Sequence, residues 1–349
     1  MPRRSLRLAT GRLTIRPLAR RDITEFTRYR NIPEVARYQD WALPYTRDLA
    51  HAVVDDAELV GVPSGGRWLQ LAITDLDDHL MGDVAVWLDE DEQLAMIGYT
   101  LAPEYQRRGI AAEAVGATLD WLFAARKVHR VAATIDPHNL ASARVLERNG
   151  FRYIGTARSA ALVRGVWSDD ARFELLAKEW KAWKRRPGPP KRVELVEITR
   201  ETVRSIGEID RAFSQRQFVS SVYQSYGDAL VATTKNGEPV RPWLRAIMAD
   251  REYVGFMMVA EPMASRPHPY LWRFMIDWRH QGRGIGRVAL AALAEQRAAA
   301  GATHLLLSCV ADVPGSPEPF YTRLGFERTG HVNEWGETEM IAALSQLIV

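Results

Sequence analysis

Apolar positions along the chain follow two periods, and the two periods take turns. Alternating or short continuous apolar runs predict strands at residues 12–17 (Leu13 and Ile15 alternate), 68–74, 80–87, 94–101, 128–135, 151–158 and 167–176. An acidic turn, 75–79, joins the second and third of these. Helical spacing predicts helices at 20–30, 46–60, 110–125 and 140–148, with Leu49, Val53 and Leu59 as the buried stripe of the second. Residues 61–66, which include Pro63, read as a loop. The series then runs again. Strands are predicted at 193–198, 244–248, 253–259, 271–276, 304–310, 326–331 and 337–344. Helices are predicted at 199–210 with Thr199 as N-cap, at 218–231, at 285–300, and as a short piece ending at 320–324 after a loop holding three prolines.

Between a strand and a helix of the second series lies Gln281-Gly282-Arg283-Gly284-Ile285-Gly286. A glycine-rich turn that opens a helix leaves backbone N–H groups unpaired and pointing one way, and the helix dipole adds partial positive charge. Such a turn suits a phosphate or pyrophosphate, with glycine where φ is positive or where a ligand must come close. The first series holds a second copy, Gln106-Arg107-Arg108-Gly109-Ile110-Ala111, 175 positions earlier. Phe151 and Phe326, each after a glycine, are also 175 apart, as are His129 and His304. Three landmarks with one offset make the chain two copies of one fold, each with its own phosphate turn.

Composition narrows the class. The chain has 349 residues, 47% of them hydrophobic, enough for two domains with real cores. One cysteine excludes an intramolecular disulfide and fits a reducing, cytoplasmic setting. No apolar run approaches ~18 residues, so a membrane span is not expected. The basic start, residues 1–7, lacks the apolar stretch of a secretion signal. The net charge of +3 conceals a basic segment, 178–192, with seven Lys/Arg against one Asp/Glu. This places domain one at 1–180, a basic proline-rich linker at 181–192 and domain two at 193–349. Two mildly acidic domains around a basic strap do not suit nucleic acid. They suit a cationic substrate.

The turn consensus, with a Gly-Phe pair ending 45 positions after each glutamine, resembles the GNAT superfamily of acetyl-CoA-dependent N-acetyltransferases. The resemblance implies an α+β fold, a mixed, mostly antiparallel sheet with splayed fourth and fifth strands. Acetyl-CoA would place its pyrophosphate on Gln281, Gly282, Arg283, Gly284, Ile285 and Gly286, and in the first copy on Gln106, Arg107, Arg108, Gly109, Ile110 and Ala111. Its pantetheine arm would pair with fourth-strand backbone, at Met275 and Ile276 in the second copy. The first half resembles ribosomal-protein N-terminal acetyltransferases through Ile97-Gly98-Tyr99, Asn139-Leu140-Ala141-Ser142 and Leu146-Glu147-Arg148-Asn149-Gly150-Phe151. That implies cofactor contact for Asn139 and protonation of the leaving thiolate for Ser142. Read as residues alone, Asn139 caps a helix and Ser142 is a small polar residue in its first turn. Met96 stands where many relatives carry a glutamate. The second half resembles bacterial spermidine and diamine acetyltransferases through Trp272-Arg273-Phe274-Met275-Ile276-Asp277, the turn, and Phe320-Tyr321 before Leu324-Gly325-Phe326. That implies a general acid at Tyr321, whose bland alternative is a packed aromatic. Its counterpart 175 positions earlier, Leu146, cannot transfer a proton.

Acetyl transfer to an amine needs a neutral amine, a polarised carbonyl and a proton for the thiolate. Candidates to deprotonate or hold a cationic amine are Glu208, Asp210, Glu337 and Glu339, each also readable as a solvated surface charge. Cys309 reads as an inert core residue, and no His/Cys/Asp spacing calls for a metal. The expected substrate is a small cationic amine: a polyamine, or a basic antibiotic such as an aminoglycoside or a tuberactinomycin peptide such as capreomycin. Acetylation there would remove a charge and confer resistance. Protein N-terminal acetylation by the first half is the alternative enzyme, and one half acting as a non-catalytic acetyl-CoA-binding regulatory module is the alternative from another class. The second domain is expected to do the chemistry; the sequence leaves the oligomeric state open, and a monomer whose tandem halves form a pseudo-dimer is compatible with it.

Overall fold

A computed structural model describes residues 5–233 and 237–348. The expectation for residues 1–7 lies partly outside the described residues. The chain divides into two compact units, Met1–Arg186 and Pro187–Val349.

The first unit contains β1 (Leu8–Ala9), β2 (Thr14–Pro17), β3 (Trp68–Thr74), β4 (Leu80–Leu88), β5 (Leu94–Leu101), β6 (Arg130–Ile135), β7 (Arg152–Val163) and β8 (Val166–Leu176), in the sheet order β1-β2-β3-β4-β5-β6-β8-β7. Its helices are α1 (Ile23–Arg30), α2 (Pro33–Ala36), α3 (Arg47–Val60), α4 (Ile110–Asp120), α5 (Leu140–Arg148) and α6 (Ala177–Lys184). The second unit contains β9 (Val193–Val196), β10 (Pro242–Ala249), β11 (Glu252–Ala260), β12 (Tyr270–Ile276), β13 (His304–Cys309), β14 (Glu327–Val332) and β15 (Thr338–Ala343), in the order β14-β15-β13-β12-β11-β10-β9. Its helices are α7 (Val203–Gly207), α8 (Val222–Leu230), α9 (Ile285–Ala299), α10 (Glu318–Thr322) and α11 (Leu344–Leu347). Each sheet is antiparallel except for one parallel pair, β5 with β6 and β12 with β13.

That parallel pair makes the gap the resemblance implied. β5 meets β6 only at Leu94, Ala95 and Met96, and β12 meets β13 only at Tyr270 and Leu271. Beyond those residues the strands part and leave backbone groups of the fourth strand without ladder partners. The repeat holds at the level of register. Ala95 faces Val131 in the first copy, and Tyr270 faces Leu306, both 175 further on, in the second. The copies differ along the strand that opens the gap. In β12 Arg273 faces Met258 and Leu271 faces Val259, so Trp272 is the extra residue of a bulge; β5 runs along β4 with no such break.

The second sheet is covered on both faces. Leu290, Leu293 and Ala294 of α9 pack with Ile247, Val259 and Leu307 on one, and Ile206 and Val222 of α7 and α8 pack with Phe256 and Met258 on the other. Each such aliphatic side chain contributes about 1.5–3 kcal/mol of burial.

Several expectations need correction. The buried face of α3 is Ala50, Val54 and Ala57, while Leu49 and Leu59 are 41% and 60% exposed; the small residues let the helix approach the sheet, and the larger ones lie off that face. Thr46 caps α3, accepting from the Leu49 N–H. Helix α7 is five residues, not twelve, and Thr199 is not its cap: the Thr199 N–H donates to Thr202 Oγ1. Gly207 is its last residue, and a Cβ there would meet the Tyr223 ring at 2.4 Å, so only glycine fits. Residues 181–184, assigned to the linker, are the end of α6. There Trp180 packs on Phe123 and donates to Asp120 at 3.0 Å, so an amphipathic stretch that looked like a charged strap is held by its two tryptophans, Trp183 donating to the Arg148 carbonyl.

Candidate active site

The second unit carries a cleft of about 1090 Å³ along the gap between β12 and β13. At one end is the glycine turn. Gly284 is the N-cap of α9 with φ 78° and ψ −4°, and Gly282 has φ 75°. A Cβ at either would meet no atom within 4 Å, so left-handed backbone, not crowding by the protein, requires glycine there, and the face they present stays open. Gly286 is different: a Cβ would lie 3.3 Å from the Phe320 ring. Gln281 fastens the turn by donating to the Ile276 carbonyl at 2.9 Å and to Gln215 at 2.7 Å. Gln106 makes the same bond to Leu101, at 3.1 Å. An open concavity of left-handed glycines at the start of a 15-residue helix fits a pyrophosphate, and the unpaired edge of β12 at Met275 and Ile276 fits an amide-bearing arm. These residues would hold acetyl-CoA, which supplies an activated acyl group as its thioester.

Arg283 points elsewhere. It is buried, and donates to the Gly188 carbonyl at 3.0 Å and to His280 Nδ1 at 2.9 Å. The guanidinium ties the turn to residue 188. Arginine only donates, so His280 Nδ1 must accept, and burial holds the imidazole below its ordinary pKa although Glu252 opposes this. Asp277 is 1% exposed. Burial works against its ionisation, but hydrogen bonds from Arg279 outweigh it and keep the carboxyl below the usual range.

Tyr321, on α10, lines the cleft nearly buried, edge-on to Phe320 and Phe326. Burial raises its pKa well above the ordinary tyrosine value, with Cys309 and Tyr270 adding to the effect, so it keeps its proton at neutral pH. Burial pushes the Cys309 thiol up to about 11, and it rests 3.8 Å from the Met340 sulfur; a protonated, packed thiol is a poor nucleophile.

The four acidic candidates separate. Glu337 and Glu339 line the cleft, the former accepting from Asn333 at 2.9 Å and the latter from Thr329 at 2.9 Å. Glu208 and Asp210 do not. Glu208 accepts from Tyr223 at 3.0 Å, and Asp210 is held by Arg216 at 2.7 Å; with α7 cut short, both lie past its end. Reasoning from residues missed Asp228, which lines the cleft and meets Arg273 at 3.2 Å, and also Arg266 and Tyr270. No local pattern marks them; they come from α8, from the turn before β12 and from the first residue of β12.

In the first unit, Gly109 repeats the conformation of Gly284 (φ 77°, ψ 1°), and Arg107 takes φ 61° where Gly282 stands. The exposed Arg12 donates to the Arg108 carbonyl and to Glu113. Asn139 does cap α5, accepting from the Ser142 N–H at 3.1 Å. The Ser142 hydroxyl donates to Tyr99 at 3.0 Å, and Tyr99 donates to the Ser142 carbonyl at 2.9 Å. Leu146 is fully buried. The acidic turn draws Asp75, Asp77 and His79 within 4.8 Å of one another. Bonds from the Asp77 and His79 N–H groups to Asp75 and the contact of the His79 ring with Asp75 account for that grouping.

Residues 12–152 match the model of an acetyltransferase (GNAT) domain, and residues 208–326 that of the acetyltransferase (GNAT) family. A probable N-acetyltransferase of Bacillus subtilis is 41% identical over 102 residues, 29% of this chain and 56% of its own length. The ribosomal protein uS5 alanine N-acetyltransferase of Escherichia coli is 31% identical over 84 residues, 24% of this chain and 43% of its own. The chain thus spans about half the length of these curated relatives. The solved GNAT-family acetyltransferase of Bacillus anthracis has a TM-score of 0.46 at 25% identity, covering 50% of this chain and all of that one. Both units have the splayed mixed sheet and the glycine turn at a helix N-terminus, and both match the same family: the chain is a tandem pair of GNAT acetyltransferase domains.

Proposed function

We propose that the protein is an acetyl-CoA-dependent N-acetyltransferase, that its second domain does the chemistry, and that the acceptor is the primary amine of a small molecule that is cationic at neutral pH. One observation carries this reading: the phosphate turn, the unpaired edge of β12, a protonated Tyr321 and the carboxylates Glu337 and Glu339 all line one cleft. Each has a task there. The turn holds and orients the cofactor, and placing an amine beside a thioester supplies much of the rate. Glu337 and Glu339 attract the ammonium and take its proton, directly or through water. The Tyr321 hydroxyl provides the proton that the departing sulfur requires. A polyamine or a basic antibiotic meets these demands.

The second reading, acetylation of a protein N-terminus by the first domain, is favoured by the uS5 alanine acetyltransferase relative and by the Ser142–Tyr99 hydroxyl pair, a proton source in a unit whose Tyr321 counterpart is leucine. Paired variants of the full chain decide between them. Gly284→Glu and Gly109→Glu each put a carboxylate on one turn. Calorimetry should show acetyl-CoA binding lost at the altered site, and thiol release with a panel of amines should collapse in Gly284→Glu and persist in Gly109→Glu. The opposite pattern assigns the chemistry to the first domain, and unchanged binding in both removes the turns from cofactor recognition.

A further inference from the structure

Two arginines at the acceptor end of the cleft have no part in the chemistry above. Arg266 lies in the turn before β12, its guanidinium carbon 5.0 Å from the centroid of the Tyr270 ring. It is half-buried, and its one side-chain hydrogen bond among the described residues is a long one, 3.4 Å to the Glu261 carbonyl. Its Nε is buried without a partner, and no described carboxylate pairs with it; Glu238 and Glu339 act on it only from a distance. Arg273 follows the bulge residue Trp272. It reaches Asp228 at 3.2 Å and the Trp272 carbonyl at 3.0 Å, and its Nε too is buried without a partner. Both line the same cleft, on either side of Tyr270 in sequence, and both act electrostatically on the Tyr270 hydroxyl.

A guanidinium that has given up part of its hydration without gaining an anion is left with an uncompensated cost. Arg266 in this position calls for an anion from outside the chain. The cofactor phosphates do not supply it. They belong at the glycine turn, and Tyr270 and Ile276 are six residues apart on one strand, about 20 Å at ~3.3 Å per residue. The anion must therefore belong to the acceptor. A planar carboxylate matches the fork of a guanidinium, whereas a second ammonium, as in a polyamine, would be repelled by both arginines.

We propose that Arg266 and Arg273 form a carboxylate subsite, so that the acceptor of the second domain is an amino-acid-like compound: an amine drawn by Glu337 and Glu339 on a molecule whose carboxylate is bound by the two arginines. This rests on the acetyl-transfer reading and narrows its acceptor, setting an amine that also bears a carboxylate in place of a polyamine. The test uses pairs that differ by one carboxylate: lysine and cadaverine, ornithine and putrescine, phenylalanine and phenethylamine, tryptophan and tryptamine. For each pair, binding to the CoA-saturated full chain is measured by calorimetry and turnover by thiol release. At least one pair should favour the carboxylate-bearing member by about 10-fold or more, and Arg266→Gln or Arg273→Gln should pull that ratio back toward one, a loss of about 10–100-fold for a charge-assisted contact. Acetyl-CoA affinity in each variant shows that the fold and the turn survive. The subsite is overturned if no pair favours the carboxylate in binding, if no member binds, or if both variants keep the wild-type ratio. Carboxylate-selective binding with no thiol release from any pair would leave the subsite standing and sink acetyl transfer to small amines.

Discussion

Tyr321 and its counterpart Leu146 show how much one side chain decides. Both are buried near the start of a Gly-Phe pair, but only the tyrosine brings a hydroxyl to a cleft. Tyr321→Phe keeps the ring and its edge contacts with Phe320 and Phe326. If the hydroxyl supplies the proton, kcat on the best acceptor should fall by about 10²–10⁴-fold. The KM for acetyl-CoA should move little, since the loss falls in the transition state. Steady-state kinetics that keep most of kcat would reduce Tyr321 to a packing residue. The same arithmetic does not transfer to Ser142. Its hydroxyl is already given to Tyr99, so Ser142→Ala would also leave the Tyr99 hydroxyl without its donor.

At the scale of elements, the glycine turn is a unit held from two sides. Gln281 staples it to the end of β12, and Arg283 braces it against the Gly188 carbonyl while donating to His280. That second brace needs a neutral imidazole. Burial holds the His280 pKa below its ordinary 6.5. The brace is therefore intact at neutral pH and is lost only as pH falls below about 6.5, toward the lowered value. Acetyl-CoA affinity at the second domain should be level from pH 8 to 7 and weaken on the acid side. In His280→Gln, whose side-chain oxygen accepts at any pH, the acid-side weakening should shrink. Calorimetry of both proteins at pH 5.5 and 7.5 checks this, and equal pH dependence in the two would free His280 from the role. Helices responded to tertiary demands more than strands did. The strand at residues 94–101 is found with its expected ends, whereas α7 keeps only five of twelve expected residues.

Over the whole molecule, each unit buries tyrosine. Burial raises the pKa of Tyr29 and Tyr99 in the first unit and of Tyr321 in the second above the ordinary 10.0; nearby Asp83 adds to the shift at Tyr29. A raised folded-state pKa means that unfolding is favoured once tyrosines of the unfolded chain begin to ionise. Stability is then fully present below about pH 10 and falls as pH rises beyond it. Urea unfolding of the full chain should give closely similar midpoints for these groups' contribution at pH 8 and 9, and a lower one at pH 10.5. Tyr321→Phe, which has no proton to lose, should blunt the drop for the second unit, and a midpoint that does not fall at pH 10.5 would contradict the burial these side chains show.

The repeat, the succession of strands along each copy and the glycine turn were legible in the linear chain. Each depends on neighbours in sequence: alternation along a strand, glycine where φ is positive, a helix start after a turn. The offset of 175 even carried over to register, with Ala95 against Val131 and Tyr270 against Leu306. What the chain alone left open was which charges meet. Glu208 and Asp210 had the same local credentials as Glu337 and Glu339, but only the second pair lines the cleft. Asp228, Arg266 and Arg273 come together from a helix, a turn and a bulged strand up to 45 residues apart. Sequence sets the backbone geometry of each short segment; which side chains share a desolvated space, and which are left without a partner, depends on long-range packing and was decided only by the tertiary fold.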